Sequence, residues 1–189
     1  MLHEEQLIQQ LFRRLNSCLF DFAVLGGYPR DIHYGRQPKD LDICVYNYHP
    51  NDIAEIKLTD MLHNWLTRNG INVKVYAENA SASGDDRVYT VWTLDIGVDI
   101  IFWNAKTKYE VLQNFDFNIN QFELDISTGE VVRHLKVPEL DNELVMLRDL
   151  FQYNTDPVER ILHVIDIATD IGWDVCSVKN NLKSQMRKM

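Results

Sequence analysis

A chain of 189 residues, 46% hydrophobic and 25% charged, is long enough to bury a core and too evenly mixed to be fibrous or disordered. Its formal net charge of -9 argues against a protein that coats nucleic acid by bulk electrostatics, and leaves room for a local basic patch. No apolar run approaches the ~20 residues that a membrane-spanning helix needs.

From the start, "MLHEEQLIQQLFRR" lacks the basic head and apolar stretch of a signal peptide. Leu7, Ile8, Leu11, Phe12, Leu15 and Leu19 recur at helical spacing and predict an amphipathic helix over residues 3 to 19. "FAVL" at 22 to 25 is a short apolar strand running into Gly26-Gly27, and Pro29 suits the first turn of a helix ending near Gly35. "LDICVY" at 41 to 46 alternates as a strand does. Leu58, Met61, Leu62, Trp65 and Leu66 form one stripe of the next helix, which Gly70 stops. "INVKVY" then predicts a strand, "AENASASGDD" at 77 to 86 a loop, and "RVYTVWTL", "DIG" and "VDIIFW" a strand, turn and strand. Trp92, Trp103 and Tyr89 on these strands are assigned to the core rather than to base stacking. "NINQFELD" predicts one more strand. From Pro138 the pattern turns helical: Leu140, Leu144, Leu147 and Phe151 share one face, and Val158, Ile161, Leu162, Ile165 and Ala168 another.

These elements imply an α+β fold, a mixed sheet carrying helices over residues 1–135 followed by a helical segment over 136–189. The basic clusters "RRL" and "KNNLKSQMRKM" read as solvated helix faces. Cys18, Cys44 and Cys176 lack zinc spacing and read as small apolar fillers in a reducing, cytoplasmic compartment. His33, His49, His63 and His134 have no nucleophile or ligand spacing and read as surface or boundary residues.

The chemistry concentrates in "FAVLGGYPRDIHYGRQPKDLDICVY". Residues two apart on a strand share a face, so Asp40 and Asp42 project together while Leu41, Ile43 and Val45 face the core. Alone, such a pair is most simply a solvated surface feature. Two adjacent carboxylates also suit a hard divalent cation such as Mg²⁺, with substrate phosphates completing its shell. Upstream, Gly26-Gly27 lets backbone approach a phosphate closely, and Arg30 can reach the same group with its fork of donors. Asp31 reads as an orienting partner or an acid of the helix N-terminus rather than a metal ligand. A third acid is wanted, and Asp99 in "GVDIIFW" is favoured because Val98 and Ile100 face the core and turn it the other way; Asp95, in the "DIG" turn, competes for the role.

"LGGYPRDIHYGRQPKDLDICV" resembles the signature of the nucleotidyltransferase head domain of class II CCA-adding enzymes and bacterial poly(A) polymerases: Gly-Gly, two residues, Arg-Asp, a short helix, then Asp-x-Asp on a strand. "FDFNINQFELD" (115 to 125) is similar to that family's Arg-Arg-Asp-Phe-Thr-Ile-Asn segment, and "DPVERILHVIDIATDIGW" (156 to 173) to its neck helix. The resemblance implies a polymerase-β-type head domain over 1–135 and a neck-like helical segment over 136–189. It implies metal-dependent transfer of a nucleotidyl group from an NTP, such as ATP, to an acceptor hydroxyl, with release of pyrophosphate. Asp40, Asp42 and Asp99 would hold two Mg²⁺ ions, or Mn²⁺ in their place. Gly26, Gly27 and Arg30 would bind the triphosphate, Asp116 and Asn120 would lie near the sugar and metal, and Asp156 and Arg160 near the base. The acceptors left open are tRNA or another RNA, a small molecule, or a protein hydroxyl, and no membrane is implied.

The sequence also departs from the family's pattern. Asn114 and Phe115 stand where arginines are usual, and His163 stands where a second Arg is usual. One additional residue separates Asp156 from Arg160, which on a helix rotates a side chain by about 100°. The few residues after Trp173 leave no length for the body and tail domains that grip tRNA, so the expectation is a short form that does not repair tRNA 3′ ends by the usual mechanism. The competing expectation is a catalytically inactive module that keeps the fold to bind nucleotide, RNA or protein. A full set of three acids speaks against it.

Overall fold

The computed structural model describes residues 2–76, 87–134, 141–153 and 156–188; the loop expected at 77–86 and Leu140 lie outside them. Amphipathic and alternating segments become α1 (Leu2–Ser17), β1 (Asp21–Leu25), α2 (Gly27–His33), β2 (Leu41–Tyr46), α3 (Ile53–Arg68), β3 (Val73–Tyr76), β4 (Val88–Leu94) and β5 (Val98–Trp103). There follow α4 (Lys108–Gln113), a 3-10 turn (Asn118–Asn120), β6 (Phe122–Leu124), β7 (Val131–Arg133), α5 (Leu150–Tyr153), α6 (Pro157–Asp170) and α7 (Cys176–Met186).

Among the described residues the strands form one seven-stranded mixed sheet in the order β3-β4-β5-β2-β1-β6-β7. Only the central β2–β5 pair is parallel. A parallel neighbour cannot follow through a tight hairpin, and here the crossover contains α3, β3 and β4. One face of the sheet carries the main core, where Leu41, Ile43, Val45, Ile100 and Phe102 meet Leu11 and Leu15 of α1 and Leu62 and Leu66 of α3. On the other face Leu25, Cys44 and Trp103 are covered by Val111 and Leu112 of α4. Trp92 and Trp103 are buried, in keeping with their core assignment. A third cluster joins α6 and α7 to Phe117, Ile119, Leu144 and Trp173.

The C-terminal helices are tied back to the end of α2. The Trp173 indole Nε1 donates to the Tyr34 hydroxyl at 2.9 Å, and the Arg133 guanidinium lies 4.7 Å over the same indole. Arg36 adds an ion pair to Asp170 at 3.2 Å.

Several local expectations are corrected. The strand expected from Asn118 begins only at Phe122, because the Asn118 side chain pairs like a backbone unit, donating to the Glu143 carbonyl and accepting from the Val145 N–H. Residues 141–149 are not helical despite the spacing of Leu144 and Leu147. Their backbone is drawn into long-range bonds instead, Leu144 N–H to the Asp174 carbonyl and Leu147 N–H to the Asp116 carbonyl, both 2.7 Å. On α6 the buried stripe is Ile161, Val164, Ile165 and Ala168, which leaves Leu162 at 47% exposure. Met61 is likewise exposed, and so is Cys176, whereas Cys18 and Cys44 are buried fillers. Among the described residues no helix is long and apolar enough to cross a membrane.

Candidate active site

The site is built where β1 gives way to α2 beside the ends of β2 and β5. Gly26 adopts φ 96° and ψ -133°, a region nearly closed to residues with a side chain. A Cβ there would lie 3.4 Å from the Asp42 Oδ2, so glycine lets the turn sit directly against that carboxylate. The next residue, Gly27, leaves room for the Arg30 guanidinium, which would be 3.4 Å from a Cβ. Arg30 is buried at 6% exposure and held on two sides. Its Nε donates to Asp31 Oδ1 and its Nη1 to Asn120 Oδ1, each at 2.8 Å. Asp31 therefore orients Arg30, and Asn120 reaches it from a segment 90 residues away.

Asp42 and Asp99 are direct partners across the parallel β2–β5 pair. Their strand neighbours Leu41, Ile43, Val98 and Ile100 are buried in the main core, so both acids turn to the opposite face. Asp40 stands two residues before Asp42. The crowding is costly: burial first, then the charges of Asp99 and Asp40, push the Asp42 carboxyl up from 3.8 to about 7, against the opposing pull of Arg160 and Arg30. Beneath it, burial pushes the Cys44 thiol up, which keeps it an uncharged filler. Asp95, the competing acid, instead accepts from the Asn72 backbone at 3.1 Å at the β4–β5 turn.

A cavity of 270 Å³ gathers Gly27, Arg30, Asp40, Asp42, Asp99, Asn120 and Arg160. Among the described residues no three acidic, histidine or cysteine side chains form a ready metal cage. The adjacent Asp42 and Asp99 suit Mg²⁺, which takes one or two carboxylates and keeps water or substrate phosphate for the rest of its shell. The donor set is all hard oxygen, and a buried carboxylate that feels two others, only partly offset by Arg160 and Arg30, is relieved by a cation. The residues present therefore fit the ion.

Three residues of the sequence reading, Gly26, Asp116 and Asp156, lie outside the cavity lining. Asp116 is held from both sides, its Oδ1 3.1 Å from Arg87 Nη1 and its Oδ2 3.6 Å from Arg160 Nη2. Asp156 is the N-cap of α6 and accepts from the Glu159 N–H at 3.1 Å. Sequence reasoning missed Arg87, which also donates to the Asn114 carbonyl, and the rim residues Arg36 and Lys39. Arg36 and Lys39 flank the acidic pair in sequence and could have been read there; Arg87 follows the 77–86 segment and carries no local signal.

No protein-family model and no curated protein matches the sequence. Solved structures do match. A tRNA-processing enzyme in its apo form superposes with TM-score 0.58 at 22% identity, over 97% of this chain and 46% of that one. A tRNA nucleotidyltransferase complexed with a primer tRNA and an incoming ATP analog gives 0.58 at 19% identity, over 94% and 50%. A CCA-adding enzyme in complex with ATP gives 0.57 at 18% identity, over 98% and 43%. The chain thus spans half or less of the length of these proteins. At such identities the likeness is one of fold, and it agrees with the resemblance carried by the three sequence motifs. The chain has the α+β nucleotidyltransferase head-domain fold of the CCA-adding enzymes.

Proposed function

We propose that this protein is a metal-dependent nucleotidyltransferase that moves a nucleotidyl group from an NTP to an acceptor hydroxyl. The observation that carries the reading is the register pairing of Asp42 with Asp99 in a cavity that the buried Arg30 also lines. Asp40, Asp42 and Asp99 would hold Mg²⁺, which when bound lowers the charge on the α-phosphate and favours the ionised acceptor hydroxyl. Arg30, fixed by Asp31 and Asn120, directs the rest of its donor fork at the triphosphate. Gly26 and Gly27 keep side chains away from the place where phosphate approaches the acids. In the reaction a bond forms between the acceptor oxygen and the α-phosphorus and the α–β anhydride bond breaks. The hydroxyl proton passes to solvent, and pyrophosphate carries away the displaced electron pair.

The remaining residues of the site support this arrangement at one remove. Asp116 holds Arg160, and Asp156 fixes the start of the helix on which Arg160 stands. Among acceptors an RNA 3′ end is favoured, tRNA included, since the neck-like helix α6 is kept and contributes to the cavity wall. The alternative is a silent binding module. Calorimetric titration separates the two: NTP affinity should fall at least about tenfold when Mg²⁺ is withheld, and similarly in Arg30→Ala. Tight NTP binding indifferent to metal would favour the silent module.

A further inference from the structure

The basic pair Arg13-Arg14 takes no part in the site described above. A second cavity of 270 Å³ lies where α1 meets α3, lined by Gln10, Arg13, Arg14, Ser17 and Trp65, two cations and no carboxylate. These two helices cover the main-core face of the sheet, whereas Asp42 and Asp99 turn to the opposite face. The two cavities are therefore separate.

Arg13 is exposed, but Arg14 is half-buried and so is more than a solvated surface charge. Among the described residues neither has an acidic partner. The Arg14 Nη2 donates to the Met61 carbonyl of α3 at a long 3.5 Å, and its Nε is buried without a partner. Helix positions three and four apart are neighbours, and no residue at that spacing from Arg13, Arg14 or Trp65 is acidic; one, Arg68, is a further cation. In a chain of net charge -9 this is a local reversal of sign. A partly desolvated guanidinium without a counter-charge gains from an anion.

Trp65 supplies the other half of the chemistry. It packs against the main core yet stays part-exposed, and it stacks on no other ring among the described residues. An open indole beside two guanidinium groups suits a flat base and the phosphates next to it. A partner offering carboxylates alone would satisfy the arginines and leave the indole in water. In a duplex the bases are stacked on one another and closed to the indole. A single strand offers base and phosphate together.

We propose that this α1–α3 groove is a binding site for single-stranded nucleic acid, one base stacking on Trp65 and the flanking phosphates pairing with Arg13 and Arg14. The site goes beyond the proposed function and does not require transfer at the acids.

The test is fluorescence anisotropy of a labelled single-stranded oligouridylate of about ten nucleotides, a length on the scale of such sites. It is titrated with the full chain without Mg²⁺, so that the three acids repel phosphate. Affinity should fall with salt. The double variant Arg13→Gln, Arg14→Gln should make the slope of log affinity against log salt shallower by about 1.4, two phosphates at about 0.7 each. Trp65→Ala should weaken binding about tenfold, and Trp65→Phe should keep part of that loss from appearing. Affinity for NTP with Mg²⁺ should be the same in the double variant, in Trp65→Phe and in the unaltered protein, which separates loss of this groove from loss of the fold. No binding at low salt, a salt slope that the double variant leaves unchanged, or a blunt duplex bound as tightly as the single strand overturns the proposal. An oligoglutamate peptide bound more tightly than the strand also overturns it, in favour of an acidic protein partner. Each of these results leaves the nucleotidyltransferase reading standing, whereas strand binding by a protein that takes no NTP with Mg²⁺ overturns that reading alone.

Discussion

Asp42→Asn should make the metal-free protein more stable and, at the same time, nearly inactive. Asp42 is wedged between Asp99 and Asp40 on the partly buried face of β2, and burial with those two charges pushes its carboxyl up to about 7. An amide keeps the shape and removes the charge. At about pH 8 the melting temperature without metal should rise by several degrees, since ~1 kcal/mol is worth ~2–4 °C in a domain of this size. Nucleotidyl transfer should fall by about 10³-fold or more, the scale on which loss of a principal electrostatic group in an active site is felt. Thermal denaturation and a transfer assay on the same preparation check both. A variant that is destabilised without metal would show that the carboxylates are not in conflict. One that is stabilised yet fully active would remove Asp42 from the chemistry.

The second outcome concerns how Mg²⁺ and pH act together on stability. The folded, metal-free protein binds the Asp42 proton more tightly than the unfolded chain, about 7 against the ordinary 3.8. A raised carboxylate opposes folding once it must ionise. This contribution is absent below about pH 4, grows as pH rises to about 7 and is constant above that. Its upper bound is about 4 kcal/mol. Mg²⁺ provides the counter-charge, so its stabilising effect should be small at about pH 5 and largest above about pH 7. Melting temperatures measured with and without millimolar Mg²⁺ across that range give the answer. A Mg²⁺ effect independent of pH would place the ion elsewhere.

Both outcomes hang on a corner of the molecule whose local structure was readable from residues. The run from β1 through Gly26-Gly27 and α2 to β2 is encoded locally: a short apolar run, glycine where φ is positive, Pro29 in the first helical turn, then strict alternation. The same alternation turns Asp99 away from the core, and the parallel register then sets it beside Asp42. Other elements carried readable signals that went unused. Thr107 and Glu110 bracket the first turn of α4 as a capping pair, and Asp125 folds a turn with Ser127 and Thr128 before β7. Asp156 and Glu159 likewise spell a helix start, which explains why Asp156 caps α6 rather than facing the cavity.

What could not be read is the structure that depends on distant partners. Leu144 and Leu147 have helical spacing, but their N–H groups are claimed by Asp174 and Asp116, so tertiary pairing overrides the local pattern. The contact between Arg87 and Asp116 joins residues 29 apart, and nothing near either position announces it. The same holds for Asn120, whose bond to Arg30 ties the 3-10 turn to α2.

The most direct measurement is transfer itself. NTP labelled on the α-phosphate is incubated with the protein and Mg²⁺ against a panel of RNA, small-molecule and protein acceptors, for the unaltered protein and for the double variant Asp40→Ala, Asp42→Ala. Covalent labelling of at least one acceptor class, matched by pyrophosphate release and lost in the folded double variant, is what the geometry predicts. Labelling that is equal in the two proteins, or absent from both across the whole panel, would contradict it.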